Sequence, residues 1–104
     1  MIAARTELLG IEADGKRLPI TVEINCPELG EDGLWFCQTS LHGLYPRLSP
    51  MRSDDSLHAL CMGLFLIRNL LLGFIEEGGR LMFFESPDQE FPVEAYFPPL
   101  VQGG

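Results

Sequence analysis

The sequence has few cysteines, and their number does not suit a disulfide framework. Its 104 residues include three cysteines, with no Cys-x-x-Cys pair and no Asn-x-Ser/Thr site. An odd number cannot pair completely within one chain, and reduced thiols are the rule inside cells. Residues 1–7 also lack the basic start and apolar core of a secretory signal. These absences predict reduced thiols and a cytoplasmic protein.

Positive charge is also scarce. Seven basic residues face 15 acidic ones, for a net charge of −8 with neutral histidines. Such a chain repels phosphate backbones, so we expect no nucleic-acid partner. The acids are scattered along the chain, which favours a solvated surface over an acidic mimic of DNA. With 46% apolar and 21% charged residues, the composition is that of a folded globular domain.

Motifs that hold metals, phosphates or cofactors are missing. The histidines and acids show neither zinc nor EF-hand spacing, and the glycines form no Walker or dinucleotide-binding pattern. The sequence therefore predicts no cofactor and no metal-ligating residue.

One long apolar segment, residues 57–75, approaches the length of a membrane span. It contains Arg68 and Asn69, and an Arg near the middle of an inserted helix costs about 2.5–3.5 kcal/mol. Its apolar residues also follow the period of an amphipathic helix. We therefore expect a helix of a soluble protein and no membrane partner.

Alternating apolar residues predict strands at the start of the chain. Residues 17–25 alternate clearly and residues 2–12 more loosely, the pattern of half-buried strands. Asp14–Gly15 between them suits a tight turn, so the two strands should pair antiparallel. Pro19 places the start of the second strand near an edge or at a bulge.

Further strands are predicted downstream. Residues 34–41 read as a third strand with Trp35 facing the core, and residues 43–53 as a turn with room for a short edge strand. Residues 80–85 read as a last strand that is central or covered, because both of its faces are apolar.

The long helix is predicted from Asp54 to Glu77. Asp54 and Asp55 supply acceptors for its first N–H groups, and Gly78–Gly79 ends it. Its large apolar residues recur at spacings of three and four and should pack on the sheet. They are Leu57, Leu60, Leu64, Ile67, Leu71, Phe74 and Ile75.

This helix carries more apolar surface than one sheet can cover. Met62, Phe65, Leu66 and Leu72 lie on or beside the polar side that holds His58, Asn69 and Glu76. Residues 86–104 form a proline- and aromatic-rich tail, expected to lie extended on a surface. The fold predicted is a single α+β domain over residues 1–104. It has an antiparallel sheet of four strands, five with the optional edge strand, in the order β-β-β-(β)-α-β, and one helix on one face.

Candidate catalytic residues are few. Cys61 lies one helical turn after His58, and Asp54 or Asp55 could orient the imidazole. However, Cys61 also lies beside apolar residues, where a thiol packs as a small hydrophobe. His42 is the other histidine. The sequence assigns no catalytic residue, and the protein is expected not to be an enzyme.

Other residues have structural interpretations. Cys26 and Cys37 are expected as free core thiols on neighbouring strands. Arg68 either snorkels to solvent or forms a structural ion pair, the favoured interpretation, with Glu23 and Glu7 as candidate partners. The helix glycines Gly63 and Gly73 leave two alternatives open. They allow close approach to a second helix in a dimer, or close packing on the sheet.

Three local patterns carry a resemblance. They are Arg5–Thr6 with Asp14–Gly15, Trp35-x-Cys37 with Gly43–Leu44, and Asp55-Ser56-Leu57-His58-Ala59-Leu60. In these, from about Arg5 to Phe91, the chain resembles a family of small bacterial proteins defined only as a domain of unknown function. The resemblance implies a bacterial cytoplasmic origin and the order strand–strand–strand–helix–strand. It implies no activity and no site residues.

The surplus apolar helix surface and the aromatic tail predict a non-enzymatic interaction domain that forms a homodimer and binds another protein. Two alternatives remain. One is a small enzyme or small-molecule binder with a pocket near Trp35, His42 and His58. The other is an immunity- or antitoxin-like inhibitor, which the acidic charge permits.

Overall fold

A computed structural model describes residues 1–97. Along the chain, strands both precede and follow one long helix. The elements are β1 (Ile2–Ile11), β2 (Arg17–Asn25), β3 (Glu28–Leu29), β4 (Trp35–Cys37), β5 (Thr39–His42), β6 (Met51–Ser53), α1 (Ser56–Glu76), β7 (Arg80–Phe83) and α2 (Val93–Tyr96).

The main sheet is antiparallel and has the strand order β5-β2-β1-β7. β1 and β2 form the predicted hairpin, in which Leu8 lies opposite Ile20. Gly15 has φ = +90°, which a residue without a Cβ adopts at little cost, and the Lys16 N–H donates to the Asp14 carboxylate at 2.9 Å. The predicted α+β class, with a four-stranded antiparallel sheet and one long helix, is confirmed.

A second, three-stranded sheet with the order β3-β4-β6 was not predicted. The predicted third strand, residues 34–41, divides at Gln38, so that β4 joins the small sheet and β5 joins the main one. The Gln38 side-chain amide donates to the Leu48 carbonyl at 2.7 Å, and the Gln38 backbone carbonyl accepts from Asn25 N–H at 2.9 Å. These bonds hold the chain where it passes from one sheet to the other.

Helix α1 begins and ends close to the predicted limits. Asp55 is its N-cap, and its carboxylate accepts from the N–H groups of Leu57 and His58 at 2.7 and 3.2 Å. At the other end Gly78 adopts φ = +97°, and Gly79 N–H donates to the Phe74 carbonyl at 3.0 Å.

The face that α1 buries is rotated from the predicted one. Its fully buried residues are Ala59, Gly63, Ile67, Leu71 and Phe74. Leu60 and Leu64 pack at the margin of the core, whereas Leu57 and Ile75, both predicted to be buried, are 67% and 36% exposed. The prediction weighted large apolar side chains. The helix instead approaches the sheets through Ala59 and Gly63, because small residues allow close contact.

The last strand, β7, ends at Phe83 and is an edge strand rather than a central one, although residues 89–91 cover its outer side. Phe91 and Val93 are buried in the core, as is Phe97 after α2. The predicted tail therefore folds against its own domain as far as residue 97. The rest of that tail, residues 98–104, lies outside the described residues.

Candidate functional site

The surface of α1 opposite its buried side carries an apolar stripe, here called the outer helix face. Its apolar residues lie roughly opposite Ala59 and Gly63. They are Leu57, Cys61, Phe65, Leu72 and Ile75. Leu57 and Ile75 are exposed and the other three are partly exposed. Arg68, which pairs with Glu94 of α2, falls between Phe65 and Leu72 and divides the stripe into two groups. An exposed apolar helix face is a candidate interaction site.

By length and composition, the same helix could cross a membrane. Of its most apolar window, 28% is buried within the domain. Core helices of folded domains have the same character, so this property by itself does not identify a spanning segment.

Near the start of α1, the His58 imidazole contacts Ser53 and not Asp54 or Asp55, the residues expected to orient it. Its Nδ1 lies 2.6 Å from Ser53 Oγ, and Ser53 lies opposite Trp35 in the small sheet. Trp35 and His58 therefore both neighbour Ser53. Asp55 is engaged in capping the helix, and no described residue bonds His58 Nε2. The pair lacks the third, orienting group that an activated nucleophile needs.

His42 lies elsewhere, on the face of the main sheet away from α1. Its Nε2 is 2.9 Å from the Glu23 carboxylate, which also lies 4.0 Å from Arg5, and Arg5 in turn pairs with Glu7 at 3.2 Å. Cross-strand pairing brings these charged side chains together, because Arg5 on β1 lies opposite Glu23 on β2. The two histidines thus belong to separate hydrogen-bonded groups.

Cys26, Cys37 and Cys61 are free thiols. Cys37 is fully buried and its Sγ lies 3.4 Å from the Asn25 carbonyl. Burial raises the pKa of the Cys37 thiol above its ordinary value of 9.0, and the neighbouring Cys26 raises it further. Cys37 also explains Gly63, because a Cβ there would lie 2.9 Å from Cys37 Sγ. Close packing on the sheets is therefore the role of Gly63.

Arg68 was assigned the wrong partner. It pairs with Glu94 of α2 at 3.4 Å, whereas Glu23 pairs with Arg5 and His42. The Arg68 stem is largely buried, and its Nε has no hydrogen-bond partner among the described residues. The folding of the tail onto α1 decides this pairing, and the helix sequence carries no signal of it.

Two open clefts border β1 and were missed at the sequence level. One, of about 520 Å³, lies where β7 turns away from β1. The other, of about 330 Å³, is mainly apolar and lies between β1, β2, Leu64 of α1, and the Tyr96–Phe97 segment. Both depend on where the tail folds. The Phe91, Tyr96 and Phe97 aromatics were the available signal, but their position was not predictable.

Among residues 1–97, no group of three or more His, Cys, Asp or Glu side chains is placed to hold a metal ion. No protein-family model, curated protein or solved structure matches the chain. The resemblance to a bacterial family of unknown function therefore stays a prediction.

Proposed function

We propose that this protein is a non-enzymatic interaction domain that forms a homodimer through the outer helix face. The supporting observation is the exposure of Leu57 and Ile75 at the two ends of an apolar stripe on α1 that Arg68 interrupts. A straight helical face suits a twofold arrangement, in which the same surface of both copies meets.

The energetics of association favour this use of the surface. Burial of apolar area contributes about 25 cal/mol per Å². The free energy of association is therefore most favourable when the partner covers the whole length of the stripe, which rises about 1.5 Å per residue. Gly73 lies on the polar side of α1 with Asn69 and Glu76 rather than on the stripe, and a Cβ there would meet no described atom within 4 Å.

The test is sedimentation of the full chain over a range of concentrations, with Leu57→Asp as the disrupting variant. Leu57 is 67% exposed, so the substitution leaves the fold intact while placing a charge in the interface. We expect the dimer dissociation constant to rise at least about tenfold, the effect of about 1.4 kcal/mol. Leu29→Asp is the matched control, because Leu29 is 60% exposed on β3, away from α1.

A wild-type chain that stays monomeric at high concentration would overturn the proposal, as would equal weakening by both variants. Truncation of the tail after Ser86 is not a clean test, because it removes Phe91, Val93 and Phe97 from the core.

The two alternatives stay predictions. An enzyme or small-molecule binder with a pocket near Trp35, His42 and His58 would lose its activity in His58→Ala without losing its fold. An acidic inhibitor of the immunity type is permitted by the net charge of −8 but has no specific contact to support it.

A further inference from the structure

One edge of β1 is only partly covered. β2 pairs along β1 from Ile2 to Ile11, whereas β7 pairs on the other side only from Leu8 to Ile11. Beyond Phe83 the chain turns away, since Ser86 N–H donates to the Phe83 carbonyl at 3.2 Å. Residues 2–7 therefore have no strand neighbour on that side among the described residues.

The hydrogen bonds of β7 show which backbone groups of β1 point to this edge. The Leu81 carbonyl and the Phe83 N–H bond residues 91 and 89, on the side away from β1. Met82, between them, must then direct its groups toward Leu9, its partner in the register. By the alternation of an antiparallel ladder, Glu7 and Arg5 direct their N–H and C=O groups to the same side as Leu9.

The opposite side of β1 gives the same assignment. Asn25 N–H bonds the Gln38 carbonyl next to β5, so Val22 and Ile20 turn toward β1 and pair with Thr6 and Leu8. Even-numbered residues of this stretch thus bond β2, and odd-numbered residues face the open edge.

The two clefts flank this edge. Arg5, Thr6 and Tyr96 line both of them, so the clefts meet along β1. The mainly apolar cleft lies on the side of the sheet that faces α1. Tyr96 is 52% exposed, and its ring is held 4.5 Å from that of Phe91, measured between centroids. It is a fixed aromatic wall beside the edge of β1 that no described strand covers.

We propose that the open edge of β1 binds an extended peptide of another protein by strand addition. The backbone groups of Arg5 and Glu7, which have no partner among residues 1–97, match an extended backbone, and the apolar cleft accepts alternate side chains of the added strand. Glu85 lines the neighbouring cleft and forms no ion pair among the described residues. Together with the net charge of −8, it selects a peptide with apolar residues at alternate positions and basic residues between them.

A second copy fits this edge less well. If two β1 strands paired with Arg5 opposite the partner's Glu7, Ala4 would lie opposite the partner's Leu8, where Phe83 already lies. A register shifted by two residues would instead place the Arg5 side chains of the two copies opposite one another, where like charges repel. The bulge between Ile2 and Ala4 and the Arg5–Glu7 pair are also features by which edges avoid indiscriminate pairing.

Amide hydrogen exchange in the full-length protein tests the edge itself. In the free protein we expect the N–H groups of Arg5 and Glu7 to exchange quickly and those of Thr6 and Leu8 to exchange slowly. Slow exchange at all four in the free protein would overturn the proposal, and slowing that depends on protein concentration would show that a second copy covers the edge.

The binding probe is the heptapeptide Lys-Val-Lys-Val-Lys-Val-Lys, with a scrambled Val-Val-Val-Lys-Lys-Lys-Lys peptide and a version with Glu in place of Lys as controls. We expect the alternating basic peptide alone to slow exchange at Arg5 and Glu7 and shift their amide resonances. No such change at about 1 mM peptide, the weak end of measurable affinity, would overturn the proposal. Equal binding of the scrambled or the acidic peptide would also overturn it.

Two variants locate the bound peptide. Tyr96→Ala should weaken binding about tenfold, as loss of an aromatic anchor does, whereas Tyr45→Ala, at an exposed tyrosine on another surface, should not. Glu7→Pro removes an outward N–H while leaving the ladder with β2, so it should also weaken binding. An unchanged affinity in Tyr96→Ala, with the fold verified by the same amide spectrum, would contradict the assignment.

Discussion

The two sides of α1 have similar apolar content but different surroundings. The inner side is buried through Ala59, Gly63 and Ile67, whereas the outer helix face keeps Leu57 and Ile75 in solvent. Small residues let the helix approach the sheets closely on one side, and large residues remain uncovered on the other. Hydrophobicity makes a helix face suitable for burial, but steric fit decides which face is buried within the domain.

The largest expected effect comes from a charge on the inner side. Ile67 is fully buried, so Ile67→Asp leaves an unpaired charge in the core. We expect a loss of about 5 kcal/mol or more in the free energy of unfolding, enough to unfold many domains of this size. Asn69→Asp, at an exposed position, should change that free energy by less than about 0.5 kcal/mol.

Urea unfolding followed by circular dichroism measures both variants. Leu64→Asp should fall between them, because Leu64 is only partly buried beside the apolar cleft. A folded Ile67→Asp variant with wild-type stability would contradict the burial of Ile67 on the inner side of α1.

The two helix glycines provide a matched pair for the same comparison. In Gly63→Ala the new Cβ would lie 2.9 Å from Cys37 Sγ and 3.1 Å from Thr39 Cγ2, both in buried residues. Overpacking of about 1–3 kcal/mol exceeds the helix-propensity gain of about 0.5–1 kcal/mol, so this variant should be less stable. The Cβ of Gly73→Ala would meet no atom of residues 1–97 within 4 Å, and the variant should gain about 0.5–1 kcal/mol.

Differential scanning calorimetry of the two glycine variants checks the sign of each change. Stabilisation by both substitutions would mean that α1 does not approach the sheets at Gly63 as closely as the distances indicate.

The buried Cys37 thiol extends the comparison to the pH dependence of stability. Because the pKa of Cys37 is raised in the folded state, the unfolded chain ionises first as pH rises. The stabilisation is present below the unfolded pKa and is lost as pH rises toward the folded one. The free energy of unfolding should therefore fall more steeply above pH 9.0 in the wild type than in Cys37→Ala.

Alkylation of the native protein supplies the control for this prediction. At protein concentrations that keep the chain monomeric, Cys61 on the outer helix face should react with iodoacetamide well before the buried Cys37. Equal rates for the two thiols would contradict the difference in burial.

The smallest effect is expected on the outer side. Leu57→Asp should change the free energy of unfolding by less than about 0.5 kcal/mol at protein concentrations that keep the chain monomeric. Urea midpoints measured at low concentration check this. A large loss there would mean that Leu57 is part of the core and would remove it from the proposed dimer interface.

The parts of the fold that were predicted are those set by local physics. The Asp14–Gly15 turn, the alternation of β2 and the Asp55 cap each depend on neighbours within a few residues, and each was predicted. The division of the predicted third strand at Gln38 was not predicted, because it depends on bonds to Leu48 and Asn25, which are distant in sequence.

The candidate surfaces divide in the same way. Surplus apolar area on α1 follows from counting residues around a helix, so the sequence predicted it. Its position did not follow, because the roles of Ala59 and Gly63 require knowledge of what they contact. The partner of Arg68 was wrong for the same reason, since Glu94 reaches it only after the tail has folded onto α1.

The sequence by itself determined an acidic α+β domain with one strongly apolar helix and a first hairpin, because composition, periodicity and turn chemistry act over short distances. Only the tertiary structure decided which helix face is covered, where the strands divide into two sheets, and that Arg5 and Glu7 turn their backbone groups to an open edge. These features depend on contacts between residues far apart in the chain, and the folded backbone alone brings those residues together.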